Sequence, residues 1–169
     1  MATPEERLLQ WLRDAHSMEQ QAEQMLTGMA GRIENYPQLK AQIERHIEET
    51  RRHASLVQEC IERRGSSTST VKDVAAMATG LGQALSGLFV SDEIVKGALA
   101  SFSFENMEIA SYEILITTAE QAGDLETKRV CETILQQEKA MASWLEQHLP
   151  ELTREYLRLD ATPGATAKH

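Results

Sequence analysis

Four long segments of this chain repeat apolar side chains at intervals of three, four and seven residues, and nothing in it alternates with a period of two. Leu8, Leu12, Ala15, Ala22, Leu26, Met29 and Ile33 share one helix face, and Leu39, Ile43, Ile47, Val57 and Ile61 share the next. Ala98, Phe102, Ile109 and Ile116 mark a third stripe; Val130, Ile134, Met141, Leu145 and Leu149 mark a fourth. That periodicity dictates amphipathic helices, each of which must bury its stripe against another. Only four prolines and nine glycines interrupt 169 residues, which leaves room for helices of this length. The chain is long enough for one domain with a real core.

Start and stop signals order the segments. Thr3-Pro4-Glu5-Glu6 is a capping box with Pro at the first helical position. Asn35-Tyr36-Pro37 reads as the end of that helix, with Pro37 opening a second that runs to about Arg64. Gly65 and the polar run Ser66–Thr70 follow. Thr70-Val71-Lys72-Asp73 then opens a shorter apolar helix over 71–89, whose Gly80, Gly82 and Gly87 suit either close helix contact or a partly unwound crossover. Ser91-Asp92-Glu93 caps a third long helix that Gly123-Asp124 ends, and a fourth runs to about His148. Pro150 reads as the start of a short terminal helix. Residues 1–157 form the domain and 158–169 a disordered tail. Short turns inside each long pair make the pairs antiparallel, and the middle connection can carry the chain across. The expected fold is all-α: a ferritin-like four-helix bundle with one long crossover carrying a shorter fifth helix.

Three of the four stripes contain a carboxylate at mid-length. Glu19 lies roughly 20° around the helix from Leu8. Glu105 sits among Ala98, Phe102, Ile109 and Ile116, and Glu138 among Ile134, Met141 and Leu145. On the second helix His46 and His53 fall inside the stripe, with Glu49 toward its margin; Glu108 is marginal on the third. One such Glu is ordinary noise at a helix edge, and a His on such a face is as readily a satisfied core residue as a ligand. The same fault on three helices at one height is not noise. Burying several ionised carboxylates requires a compensating charge, and no Lys or Arg shares these stripes. A pair of cations would supply it, and carboxylates with imidazole are what iron and manganese accept on the facing helices of a bundle.

The stretches HSMEQQAEQML (16–26), ERHIEET (44–50), SDEIVKG (91–97), FENMEIASYEIL (104–115) and QQEKAMASWL (136–145) resemble the YciE/YciF family of stress proteins, YciE in particular, over residues 5–157. The resemblance implies a ferritin-like bundle with a dinuclear metal site. In the related rubrerythrins the ligands are a Glu, a Glu-x-x-His, a Glu-x-x-Glu and a Glu-x-x-His from the four helices in turn. By that resemblance Glu19, Glu49, Glu105 with Glu108, and Glu138 take the carboxylate roles. Arg52 and Met141 stand where the two histidines would be. His46, one turn before Glu49, is the substitute, and His53 is the alternative imidazole. The expected metal ligands are therefore Glu19, His46, Glu49, Glu105, Glu108 and Glu138. An oxygen-rich set of this kind suits a dinuclear iron, manganese or mixed iron–manganese centre.

The implied function is a stress-response protein with oxygen- or peroxide-dependent redox chemistry, that is, a di-iron oxidoreductase. The alternative is a non-catalytic structural or interaction protein with a vestigial site. Nothing in the sequence indicates a storage cage. A net charge of −9 argues against nucleic acid and anionic membrane surfaces. No apolar run reaches membrane-spanning length. Met1–Gln10 is charged and enters a helix directly, and Cys60 and Cys131 are too few for a disulfide framework. A cytoplasmic home and a homodimer are expected, with helix 71–89 the candidate contact.

Overall fold

The computed structural model describes residues 1–67 and 92–167, and those residues form four helices and no strand. They are α1 (Pro4–Ala30), α2 (Pro37–Arg63), α3 (Glu93–Gln121) and α4 (Leu125–Asp160). Residues 68–91, and with them the expected helix 71–89 and its glycines, lie outside the described residues.

α1 packs on α2 and α3, and α4 packs on α3 and α2; α1–α4 and α2–α3 face each other across the diagonals. The ends fix the directions. Ser101, early in α3, donates to the Met29 sulfur at the end of α1, and Arg32 just beyond α1 pairs with Glu93 at the start of α3. Arg63 at the end of α2 reaches Asp124 before α4 at 2.9 Å. α2 therefore finishes at one end of the bundle while α3 begins at the other. Opposite ends for the finish of α2 and the start of α3 are what a ferritin-like bundle requires. Beyond α2, Arg13 of α1 donates hydrogen bonds to Ser66 Oγ and the Ser67 carbonyl.

The capping box at Thr3 forms in both directions, Glu6 N–H to Thr3 Oγ1 and Thr3 N–H to Glu6 Oε2. Asp92, in contrast, does not cap α3; its carboxylate pairs with Lys96 one turn on. α1 stops at Ala30, earlier than Asn35. Gly28 and Gly31 weaken its last turn, and Pro37 keeps Tyr36 out of the helical region. Ile33 and Tyr36 are buried all the same, from the loop instead of the helix.

The larger correction is at Pro150. It does not start a new helix: α4 runs unbroken through it. A proline inside a helix loses one hydrogen bond and crowds the carbonyl four residues back, at about 3 kcal/mol. Leu145 before it and Leu152, Tyr156 and Leu159 after it pack into one apolar cluster with Met29, Tyr36 and Leu39. Breaking the helix would surrender that burial. The end of the chain also returns to this corner: Asn35 Nδ2 donates to the Thr166 carbonyl and the Tyr36 hydroxyl to that of Ala167.

At the opposite end Gly123 turns the chain from α3 to α4 with φ +69°, and the Asp124 side chain accepts the Thr127 N–H. A Cβ on Gly123 would touch nothing within 4 Å. Gly123→Ala should therefore cost only the left-handed backbone strain, about 1–2 kcal/mol in urea denaturation. An unchanged midpoint would contradict that reading.

Candidate metal centre

Each helix brings its polar core residues to the same height, near its middle. α1 contributes Glu19, α2 His46 and His53 two turns apart, α3 Glu105 and Glu108, and α4 Glu138; all six are at most 1% exposed. α3 is rotated from the face its most apolar residues suggest. Its buried line runs through Ala98, Ser101, Glu105, Glu108, Tyr112, Leu115 and Ala119, while Phe102, Ile109 and Ile116 are only half-buried. Glu108 is thus not marginal but central.

The donor atoms form two groups that share one carboxylate. His46, Glu105, Glu108 and Glu138 each offer an atom within 4.8 Å of the others, and so do Glu19, His53 and Glu138. Glu138 spans the two: its Oε2 lies 3.3 Å from His46 Nε2 and its Oε1 2.8 Å from His53 Nδ1. Glu105 Oε2 is 3.2 Å from His46 Nε2, and Glu19 Oε2 is 3.5 Å from His53 Nδ1.

Around this set a ring of partners fixes orientation. The outer nitrogen of His46, Nδ1, meets Glu49 Oε2 at 2.9 Å, and the outer nitrogen of His53, Nε2, meets Gln137 Oε1 at 2.8 Å. Both partners are acceptors, so each ring carries a hydrogen outward and directs its other nitrogen at the cluster. The buried Tyr112 hydroxyl donates to Glu19 Oε1.

With all four buried carboxyls ionised and both rings protonated, two negative charges remain in excess. Protons absorb them. Burial first, then Glu138, Glu19 and Glu105, pushes Glu108 far above the usual carboxyl range. Burial likewise raises Glu105 to about 7, against the pull of His46, and raises Glu19 against His53 and Tyr112. Burial opposes charge on the rings, but Glu105 and Glu138 lift His46 to about 11, and Glu138 with Glu19 lift His53 to about 10. Burial would raise Glu138 as well; flanked by both rings, it is instead held down at about 2.

These contacts are close but not aligned as hydrogen bonds. Glu19 Oε2, His46 Nε2, His53 Nδ1, Glu105 Oε2, Glu108 Oε1 and both oxygens of Glu138 lack a hydrogen-bond partner although fully buried. Native interiors rarely leave such atoms unmet. Seven converging donor atoms, all nitrogen or carboxylate oxygen, with oriented imidazoles behind them, fit hard-to-borderline cations such as iron and manganese. The residues present can hold a metal.

A family model described as Domain of unknown function (DUF892) matches residues 3–158. The chain belongs to that family. Among solved structures, a protein of Xanthomonas campestris pv. campestris is 39% identical to this DUF892 chain, with 95% of this chain and 100% of that one covered and a TM-score of 0.82. The stress protein YciF of E. coli is 26% identical, with 88% and 96% covered and a TM-score of 0.78. YcfI of Rhodopseudomonas palustris, described provisionally as a structural protein, is 27% identical, with 86% and 94% covered and a TM-score of 0.72. The YciE/YciF resemblance and the helical-bundle fold are borne out.

Of the six ligands expected from sequence, this DUF892 chain brings five together: Glu19, His46, Glu105, Glu108 and Glu138. Glu49 stands outside, its side chain 32% exposed, behind His46. His53 takes the inward place instead. Its position two turns from His46 on one stripe was the available signal. Tyr112, one turn after Glu108, could be found the same way. Gln137 gives no sequence signal. Arg52 is exposed and Met141 is buried, its sulfur 3.4 Å from Gln42 Nε2. Cys60 and Cys131 are buried free thiols; burial pushes both up, Cys131 to about 12, which leaves them inert. Among the described residues no helix is long and apolar enough to cross a membrane.

Proposed function

We propose that this protein is a ferritin-like stress-response protein whose buried cluster binds a dinuclear iron, manganese or mixed centre used in oxygen- or peroxide-dependent redox chemistry. The observation that carries the reading is Glu138, one carboxylate shared between two groups of unpartnered donors. His46, Glu105 and Glu108 would hold one ion and Glu19 and His53 the other, with Glu138 between. Bound iron or manganese would supply one-electron steps toward a small oxidant. The chain's own residues do the rest. Glu49 and Gln137 fix the two rings, Tyr112 fixes Glu19, and the apolar layers above and below keep bulk water out. A bound cation would take the place of the inward ring proton on His46 and His53.

The test is anomalous scattering at the iron and manganese edges from crystals of protein purified without chelators. Two peaks flanking Glu138 are expected. Protein that carries neither metal, and takes up neither when they are supplied, would leave the non-catalytic alternative. That reading has its own support: the histidine–carboxylate pairs neutralise much of the cluster without a cation, and YcfI is described as structural. A homodimer belongs to the proposal too. α3 exposes Leu99 and Ile114 to 57% and 52%, and light scattering should give twice the 18.9 kDa chain mass.

A further inference from the structure

The two halves of the cluster are not equivalents. One has four donor residues, His46, Glu105, Glu108 and Glu138; the other has three, Glu19, His53 and Glu138. In the smaller half one Glu19 oxygen is already engaged by the Tyr112 hydroxyl, which leaves only Oε2 aimed inward. The rings differ as well. His46 is backed by the Glu49 carboxylate at 2.9 Å, whereas His53 is backed by the neutral amide of Gln137 at 2.8 Å. A carboxylate behind an imidazole makes its inner nitrogen a stronger donor than an amide does. Donor number and donor strength both favour the His46 half.

Resting on the metal-binding reading above, we propose that the cluster is a pair of unequal cation sites: the His46 half fills first and tightly, the His53 half second and weakly. Glu49 is then a positioning residue for the tight half. It is not a ligand; it acts on the cation through His46. The weaker half, with fewer protein donors, is where water or a small anion completes the coordination.

The experiment titrates chelator-treated full-length protein with Mn(II) at neutral pH, followed by calorimetry and electron paramagnetic resonance. Two classes of one ion each are expected, at least about tenfold apart, the usual reach of partners behind a metal ligand. The first equivalent should give the signal of an isolated Mn(II), and the second should convert it to that of a coupled pair. Glu49→Gln should weaken the tight class by about 10–100-fold and leave the weak class in place. His53→Gln should delete the weak class and leave one uncoupled Mn(II). If His53→Gln does not fold by circular dichroism, Glu49→Gln decides alone, because its side chain is part-exposed and its loss leaves the core intact. Equal affinities, a coupled signal from the first equivalent, or a Glu49→Gln protein with an unaltered tight class would each overturn the inequality while leaving the dinuclear reading standing. Failure to bind Mn(II) or Fe(II) at all would overturn both.

Discussion

Glu138→Gln is expected to abolish binding at both halves of the cluster and to destabilise the metal-free protein by about 3–5 kcal/mol, the usual result of removing one partner from a buried ion pair. The size follows from where the charge sits. Glu138 is the carboxylate both rings face, at 2.8 Å from His53 and 3.3 Å from His46, and all three side chains are fully buried. An amide neither bridges two cations nor balances two imidazolium rings. Glu108→Leu should behave oppositely in the metal-free state. Glu108 is held protonated by burial, and its Oε1 has no hydrogen-bond partner. Leucine removes an unsatisfied polar group worth about 1–3 kcal/mol and adds apolar packing, so the metal-free protein should become more stable. It should nonetheless lose affinity at the His46 half. Urea denaturation of chelated proteins, with metal content measured in parallel, checks both signs. A Glu138→Gln protein that still carries two ions would remove the shared carboxylate from the account.

Most of this arrangement is legible in the sequence, and its gaps have physical causes. The four helices follow from period and caps because their apolar stripes are long. The site's height follows from Glu19, Glu105 and Glu138. On α3 the stripe misleads. A helix that gives its innermost face to Ser101, Glu105, Glu108 and Tyr112 has its most apolar residues, Phe102, Ile109 and Ile116, displaced to one side. A functional site inverts the signal used to find the core. Glu49 and His53 exchange roles for a related reason. Spacing along one helix says which residues share a face, but which of them reaches the axis depends on α4, where Gln137 and Glu138 meet His53. Pro150 misleads because a local helix-breaking rule is overridden by burial on both of its sides.

Metal and pH should act on stability together, with a larger joint effect than any single substitution away from the cluster. In the metal-free protein His46 and His53 are raised to about 11 and 10, so their stabilising contribution is complete below about 6.5, their unfolded value, and drains away as pH rises through 10 and 11. Glu105, raised to about 7, and Glu108, raised further, contribute fully below about 4.5 and lose their contribution as pH climbs through their folded values. Glu138, lowered to about 2, works the other way, but its contribution is lost only below about 4.5 and so is constant above it. The metal-free fold should therefore weaken steadily from pH 5 to 8. Cation binding requires ionised carboxylates and unprotonated inner ring nitrogens, so it releases protons, and each one released strengthens binding by about 1.4 kcal/mol per pH unit. Metal stabilises the folded state by its binding free energy. The melting temperature of Mn(II)-loaded protein should exceed that of chelated protein, and the gap should widen between pH 5.5 and 7.5. At about 2–4 °C per kcal/mol for a chain of this size, even two released protons give a gap that grows by about 5–10 °C per pH unit. Glu105→Ala should shrink the gap at every pH. A gap that narrows toward neutral pH would contradict the protonation states assigned to the cluster. No gap at any pH would mean that the cluster is a self-neutralised core and not a metal centre.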